Sequence, residues 1–178
     1  MSTSTNYSRI RQLRHHEIKN EERRHGITLL CADWDDPRNV GSAFRIADAA
    51  GIRQLILGGT TPTPPHASIA KTARSTIRRV AYRSVPNSVA FLREARANGA
   101  LVLALEITDT SISLFDYSVT DPDRELVLIA GNEAGGVARE LLEHCDAAIH
   151  LPMYGQNTSM NVAVALGAAV YLLLMKLQ

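Results

Sequence analysis

Residues 126–137 read LVLIAGNEAGGV, an apolar run that leads into a turn rich in glycine. Leu126–Ala130 has the length and composition of a strand that is covered on both faces of a sheet. Gly131–Gly136 consists of residues that permit tight turns and offer backbone amides or short polar side chains. A helix over Val137–Cys145 is predicted next. The stretch therefore predicts a strand–turn–helix unit of an α/β fold.

The same alternation of strand and helix signals extends in both directions along the chain. The other predicted strands are Ile27–Ala32, Gln54–Leu57, Arg79–Arg83, Leu101–Leu105 and Ala147–Leu151. The other predicted helices are Gly41–Ala50, His66–Ser75, Asn87–Asn98 and Asn161–Lys176. Six strands separated by helices predict an α/β fold with a mostly parallel six-stranded sheet and helices on both faces.

Size and composition favour one folded domain with an appendage. The chain has 178 residues, of which 46% are apolar and 21% are charged, and this excludes disorder as the main state. Residues 1–26 precede the first strand and have the composition of a mostly polar helix. We therefore expect a basic helical extension over residues 1–26 and one domain over residues 27–178.

Several classes of protein are excluded by what the sequence lacks. The longest apolar stretch, Val162–Met175, is shorter than the roughly 20 residues that span a membrane. The N-terminus has no apolar segment typical of a signal peptide. Cys31 and Cys145 are too few for a disulfide framework, lack metal-ligand spacing and are expected in the core. We expect a reduced, cytoplasmic protein without a membrane anchor or a metal.

The formal net charge of +1 conceals two basic segments. Residues 1–26 carry a net charge of +3, and residues 71–83 carry +5 with no acidic residue. These segments are either solvated surfaces or a site for an anionic partner such as RNA. The predicted phosphate contacts are Arg11, Arg14, Arg23, Arg24, Lys71, Arg74 and Arg78, with Arg9 and Arg79 beside them. Aromatic residues are only 5% of the chain, so these side chains are expected to hold phosphates rather than read bases.

Three polar clusters follow predicted strands, where ligands bind in parallel sheets. They are Asp35–Arg45 after the first strand, Gly131–Gly136 after the fifth and Pro152–Asn161 after the sixth. The glycine fingerprints of dinucleotide-binding and P-loop proteins are absent, as are the motifs of zinc and serine hydrolases.

The clusters carry three motifs in a specific order. They read N-x-G-x-x-x-R over Asn39–Arg45, G-N-E-x-x-G over Gly131–Gly136, and L-P-M-x-G-x-x-x-S-M-N-V over Leu151–Val162. Together they resemble the motifs of the SpoU/TrmH branch of the SPOUT RNA methyltransferases, over residues 27–178. Met160 stands where that family usually has leucine. Residues 72–77 do not match the small, glycine-containing stretch common in relatives.

The resemblance implies a fold and a reaction that periodicity does not indicate. It implies a deep C-terminal trefoil knot whose loops bind S-adenosylmethionine, and a homodimer that holds RNA across its interface. It implies methyl transfer to a ribose 2′-OH of tRNA or rRNA. Two rival functions remain at this stage: a non-catalytic RNA-binding protein with the same fold, and a different nucleotide-binding α/β enzyme.

The resemblance also assigns catalytic roles to individual residues. It implies that Arg45 acts at the 2′-OH and a substrate phosphate, and that Asn39 orients Arg45 or the substrate. It places Glu133 near Arg45, and Ser159 and Asn161 against substrate or catalytic loop. Because a guanidinium stays protonated, we favour an orienting and phosphate-holding role for Arg45 over that of a general base.

Each of these residues also has a structural interpretation. Arg45 suits an ion pair with Asp48, and Asn39 and Ser159 suit helix N-caps. Glu133 suits the N-terminus of the helix from Val137.

The resemblance further implies cofactor contacts, mainly through loop backbones and apolar walls. The residues concerned are Leu105, Gly131, Leu151, Met153, Gly155 and Met160. Leu105 and Leu151 are expected to serve the strand core as well. Trp34 follows the first strand and suits either the dimer interface or the wall of the site.

Overall fold

A seven-stranded sheet in which every neighbouring pair of strands is parallel forms the centre of the molecule. The computed structural model describes residues 10–177. The strands are β1 (His25–Ala32), β2 (Ile52–Gly58), β3 (Tyr82–Val85), β4 (Leu101–Leu105), β5 (Ile112–Ser113), β6 (Leu126–Ala130) and β7 (Ala147–His150). Their order in the sheet is β3-β2-β1-β6-β4-β7-β5.

Five α-helices connect or follow these strands. They are α1 (Pro37–Ala49), α2 (Ala67–Ala73), α3 (Ser88–Ala97), α4 (Arg139–Leu142) and α5 (Val162–Lys176). Two short 3-10 helices cover His15–Glu17 and Arg74–Arg78. The predicted parallel α/β architecture is confirmed.

Apolar side chains fill both faces of the sheet, because successive strand residues point to opposite sides. Leu29 and Cys31 of β1 belong to the core under α1, α2 and α5, whereas Leu30 belongs to the core under α3 and α4. Phe44 and Leu92 are fully buried in these two layers, one on each side. Burying a side chain of this size contributes about 1.5–3 kcal/mol. The prediction of helices on both faces is therefore confirmed.

The sheet has seven strands instead of the predicted six. The additional strand, β5, has only two residues and lies at the edge of the sheet beside β7. A segment this short has no periodicity that sequence patterns reveal. The third strand also begins later than Arg79, because Arg79 and Val80 donate hydrogen bonds to Thr76 O and so belong to the preceding 3-10 turn.

Three helix predictions differ markedly from the structure. The first helix, α1, begins at Pro37 instead of the predicted Gly41, because Asp36 provides its N-cap. The helix predicted over Val137–Cys145 contains only Arg139–Leu142, because Ala138 has a ψ of 143°, outside the helical range. The amide of Val137 instead binds the carboxylate of Glu106. The helix predicted for the N-terminal extension is wrong over residues 10–24, where the single 3-10 turn His15–Glu17 stands in otherwise irregular chain. Residues 1–9, with Arg9, lie outside the described residues.

Helices α1 and α2 pack unusually close together. A Cβ atom at Gly41 would lie 2.6 Å from Cβ of Thr72 and 3.0 Å from the carbonyl oxygen of Ile69. Only glycine permits this approach, which brings Lys71 of α2, and Arg74 directly after it, next to the helix that carries Arg45.

Candidate active site

A cavity of about 560 Å³ opens at the carboxyl ends of β4, β6 and β7. This volume lies within the range of roughly 300–1,000 Å³ that is usual for small-molecule sites. Its walls come from three loops, which begin at Leu105, Gly131 and Leu151. The lining includes eight of the residues that the resemblance assigns to the site: Leu105, Gly131, Glu133, Leu151, Met153, Ser159, Met160 and Asn161.

The loop after β6 folds back on itself at two glycines. Asn132 and Gly136 form an isolated antiparallel bridge, with N–O distances of 2.9 Å in both directions. A Cβ atom at Gly131 would overlap the backbone of Gly136, and Gly136 has a φ of +66°. The loop therefore needs glycine at both positions, and its closed form places backbone instead of side chains along the cavity wall.

Glu106 lines the cavity, although no sequence motif indicated it. It follows β4 directly, and its carboxylate accepts hydrogen bonds from the amides of Val137 at 2.8 Å and Ile107 at 2.9 Å. A Cβ atom at Gly136 would overlap the same carboxylate. Glu106 thus joins the β4 and β6 loops. The only signal in the sequence was its position at the end of a strand.

The carboxylate of Glu133 organises the loop between β1 and α1. It accepts hydrogen bonds from the amide of Asp35 at 2.8 Å, the amide of Asp36 at 3.1 Å and Nδ2 of Asn39 at 2.8 Å. Partial burial opposes ionisation, but these hydrogen bonds outweigh it and lower the pKa of Glu133. The alternative in which Glu133 sits at the N-terminus of a helix from Val137 is wrong, because α4 begins at Arg139.

Two asparagine side chains continue this network to the last helix. Nδ2 of Asn161 donates to Oδ1 of Asn39 at 3.1 Å, and Oδ1 of Asn161 accepts from the amides of Ala163 and Val164 at the start of α5. The hydrogen bonds from Glu133 to Asn39 and from Asn39 to Asn161 therefore connect all three motifs, and we call them the Glu133–Asn39–Asn161 line. The line also fixes the orientation of both amides, since each has donors on one side and acceptors on the other.

The helix caps are not where the sequence suggested. Asn161, and not Ser159, caps α5, and Asp36, and not Asn39, caps α1 by accepting from the amide of Arg38 at 2.7 Å. Asn39 lies inside α1, where its side chain forms hydrogen bonds with the carboxylate of Glu133 and with the side chain of Asn161. Ser159 is exposed beside the cavity.

Arg45 is exposed on α1, two turns after Asn39, and it does not line the cavity. It forms no ion pair with Asp48 or any other residue among residues 10–177. Its guanidinium is therefore available to an external anion. The structure brings Asn39, Glu133 and Asn161 together but leaves Arg45 outside their hydrogen bonds.

Two further motif residues lie away from the cavity. Gly155 belongs to the exposed loop after β7 and is not part of the lining. Trp34 is fully buried, with its indole nitrogen donating to the carbonyl of Ala130 at 2.9 Å, so neither interpretation of Trp34 is correct. This hydrogen bond joins the end of β6 to the turn after β1 and so supports the site.

The two basic segments differ in their surroundings. In the first, Arg11 forms an ion pair with Glu17 at 2.8 Å, and Arg23 forms one with Glu21 at 3.2 Å. In the second, Lys71, Arg74, Arg78 and Arg79 are all exposed. They form no ion pairs within the part of the chain that the structure describes.

Over residues 10–177, no group of three or more His, Cys, Asp or Glu residues has the arrangement of a metal site. None of the helices in the same residues has the length and apolar character to span a membrane.

Comparison with known proteins finds the same fold in RNA-modifying enzymes. The structure superposes on the TrmH/SpoU tRNA modifying enzyme of A. aeolicus with a TM-score of 0.77 and 26% identity, covering 88% of this chain and 77% of the other. It superposes on the AdoMet-bound rRNA methyltransferase of Sinorhizobium meliloti with a TM-score of 0.76 and 27% identity, covering 88% of this chain and 57% of the other.

Sequence relatives and a family model agree with this similarity. The 23S rRNA (guanosine-2′-O-)-methyltransferase RlmB of Neisseria meningitidis is 32% identical over 141 residues, which are 79% of this chain and 55% of the relative. A TrmH family protein of Bacillus subtilis, YacO, is 32% identical over 155 residues, or 87% of this chain and 59% of the relative. The chain thus spans less than two thirds of the length of either. The model of the SpoU rRNA Methylase family matches residues 26–171, so the chain belongs to that family.

Proposed function

We propose that this protein transfers a methyl group from S-adenosylmethionine to a ribose 2′-OH of tRNA or rRNA. The observation that carries the proposal is the cavity at the ends of β4, β6 and β7, joined by the Glu133–Asn39–Asn161 line to the helix that bears an unpaired arginine. Family membership supports the same reaction.

The cavity fits the proposed cofactor. Gly131 and Gly136 leave a cradle that a Cβ atom would fill, and Leu105 and Leu151 supply apolar wall for an adenosine ring. We assign the holding of the cofactor to Leu105, Gly131, Leu151, Met153 and Met160, with Gly155 in the adjoining loop. When bound, the sulfonium supplies an electrophilic methyl group, which requires no metal.

The residues around the cavity are suited to positioning. Glu133 and Asn39 use their polar groups on each other and on the β1–α1 loop, so we assign them to holding that loop rather than to proton transfer. Ser159 and Asn161 line the cavity, so we assign both residues to contact with the substrate. Arg45, permanently cationic, would hold a phosphate in a bidentate contact and so orient the hydroxyl.

The test is the substitution Arg45→Ala. We expect loss of methyl transfer to bulk RNA by at least about a hundredfold, because orientation by a bound phosphate is lost. Cofactor binding, measured by calorimetry, is expected to stay within about twofold, because Arg45 does not line the cavity. Near-normal turnover by the variant would contradict the catalytic assignment, and absence of turnover by the wild type would favour a non-catalytic RNA-binding protein.

The RNA itself is to be identified by mass spectrometry of nucleosides from a deletion strain. We expect the loss of one 2′-O-methyl nucleoside in either tRNA or rRNA. A solved structure described as giving insights into 2-OH methylation of C/U34 on tRNA matches this chain at 27% identity and a TM-score of 0.73, over 95% of its own length. That match favours tRNA as the first fraction to examine.

We also propose that the protein is a homodimer. Val164, Ala168, Tyr171 and Met175 lie at helical spacing on one face of α5, and all four are exposed. Their exposed fractions reach 51% for Tyr171 and 72% for Met175. Exposure of this apolar stripe to water is unfavourable, and a second copy of the chain would bury it.

The proposed trefoil knot is supported by the order of the strands. β7 lies between β4 and β5, although it follows both in the chain. The segment between β4 and β6 therefore passes around β7, and α5 packs against it, with Nζ of Lys176 donating to the carbonyl of Phe115 at 3.2 Å. Such threading is very rare among folds.

RNA contacts are assigned to the basic residues of both segments: Arg11, Arg14, Arg23, Arg24, Lys71, Arg74 and Arg78. The cations of the second segment have no acidic partners in the described residues, which favours them over Arg11 and Arg23. We place the protein in the cytoplasm, where both unpaired cysteines, Cys31 and Cys145, stay reduced.

A further inference from the structure

A second, separate cavity of about 360 Å³ lies beside α2. It shares no residue with the cavity of the candidate active site. Apart from one histidine its lining is apolar: Pro64, Pro65, His66, Ala67, Ala70 and Ile77. We name these six residues the proline groove.

Two proline rings and one imidazole ring line the proline groove. The two prolines have fixed φ angles and ring faces. The ring of His66 is held in place because its Nδ1 accepts a hydrogen bond from the amide of Ser68 at 3.2 Å. In this arrangement Nδ1 is unprotonated and Nε2 carries the hydrogen. The groove therefore offers rings for stacking and one N–H donor.

Exposed cations lie beside the groove. Ala67, Ala70 and Lys71 share one face of α2 and are exposed, and Arg74 is exposed directly after the helix ends at Ala73. No acidic residue occurs between Ala49 and Arg93, although this stretch contains seven arginines and lysines. An apolar slot beside the exposed cations Lys71 and Arg74 is complementary to a flat, uncharged ring that is linked to anionic groups.

We propose that the proline groove holds an unpaired nucleobase of the RNA substrate, with the adjoining phosphates on Lys71 and Arg74. Bases in single-stranded RNA stack on rings, including those of histidine, and their phosphates bind lysine and arginine. An apolar peptide would fill the slot but would leave the surrounding cations without partners. This inference rests on the proposed function, since it presumes an RNA substrate.

The groove also stands next to the helix that bears Arg45. Helix α2 contacts α1 at Gly41, one helical turn before Arg45. A base held by α2 would therefore belong to a nucleotide near the one whose phosphate Arg45 holds. The groove would contribute to the choice of RNA site without taking part in methyl transfer.

The experiment compares two probes of equal length and charge, hexauridylate and a hexamer of abasic ribose phosphate. Ala70→Leu fills the groove from an exposed helical position, and His66→Asn removes the ring while keeping a side chain that caps α2. Ala90→Leu, on the opposite face of the sheet in α3, is the matched control. Affinities are measured by fluorescence anisotropy at constant salt concentration.

We expect the wild type and Ala90→Leu to bind hexauridylate about tenfold more tightly than the abasic hexamer. In Ala70→Leu and His66→Asn this preference is expected to fall below twofold, with affinity for the abasic hexamer unchanged. A preference for hexauridylate that persists in both groove variants, or that is absent in the wild type, contradicts the proposal that the proline groove binds a base. If the wild type binds neither probe nor bulk RNA, the RNA function fails and the groove fails with it.

Discussion

At the scale of single residues, Glu133 shows how one carboxylate organises a site without a proton-transfer role. It binds two amides of the β1–α1 loop and the side chain of Asn39, which is oriented in turn by Asn161. Replacing Asn39 by aspartate would set a carboxylate oxygen against this carboxylate and would break the line at its centre. The geometry therefore favours an amide over a carboxylate at residue 39.

This arrangement predicts a pH dependence of stability. The pKa of Glu133 is lower in the folded protein than its unfolded value of about 4.3, so ionised Glu133 stabilises the fold above that pH. The stabilisation is lost as the pH falls through the folded pKa. We expect the difference in free energy of unfolding between wild type and Glu133→Gln to be larger at pH 7 than at pH 3, measured by urea denaturation.

A double-mutant cycle with Asn39→Ala supplies the control. The coupling free energy between Glu133→Gln and Asn39→Ala is expected to be smaller at pH 3 than at pH 7. The reason is that the hydrogen bond between the two native side chains joins an amide to a carboxylate. A difference that does not vary with pH would show that the carboxylate makes no charge-dependent contribution.

At the scale of elements, the contact between α1 and α2 determines where the basic helix lies. We expect Gly41→Ala to lower the free energy of unfolding by about 1–3 kcal/mol, because the new methyl group meets Thr72 and the backbone of Ile69. Gly167→Ala in α5 is the matched control. Its methyl group would lie 3.4 Å from the mobile end of Ile46, and alanine favours helix by up to about 1 kcal/mol. Equal stability of Gly41→Ala and wild type would show that α2 shifts freely.

At the scale of the whole molecule, residues 71–79 present four exposed cations, namely Lys71, Arg74, Arg78 and Arg79. We expect Lys71→Ala with Arg74→Ala to reduce the slope of log affinity for RNA against log salt concentration by about one to two. The positive charge of residues 1–26 by itself predicts the same effect for the double variant Arg11→Ala, Arg14→Ala. Because Arg11 is paired with Glu17, we now expect it to reduce the slope by less. Equal slopes for both double variants and the wild type would place the RNA elsewhere.

The exposed stripe of α5 predicts the state of assembly. We expect Tyr171→Glu with Met175→Glu to convert a dimer into a monomer, because charge on this face prevents burial against a second copy. Ala97→Glu, exposed on α3, is expected to leave the dimer intact. Sedimentation velocity at micromolar concentration is the measurement. A wild-type monomer under these conditions would contradict the proposed interface.

Much of the fold follows from local sequence patterns. The apolar runs of β4 and β6 coincide with the predicted strands residue for residue, and Asn87 caps α3 as its side chain predicts. Strand period, capping chemistry and turn glycines act between near neighbours, so the sequence carries them directly. The three motifs, and the family to which they pointed, needed no structure either.

Only the tertiary structure decided what depends on contacts between distant segments. The pairing of β5 with β7, the bond of Glu106 to Val137 and the line from Glu133 to Asn161 join residues far apart in the chain. Their formation depends on how the strands are ordered, and no local period records that order. For the same reason the sequence marked the residues around the cavity but left open which of them bind one another and which, like Arg45, stay available to a substrate.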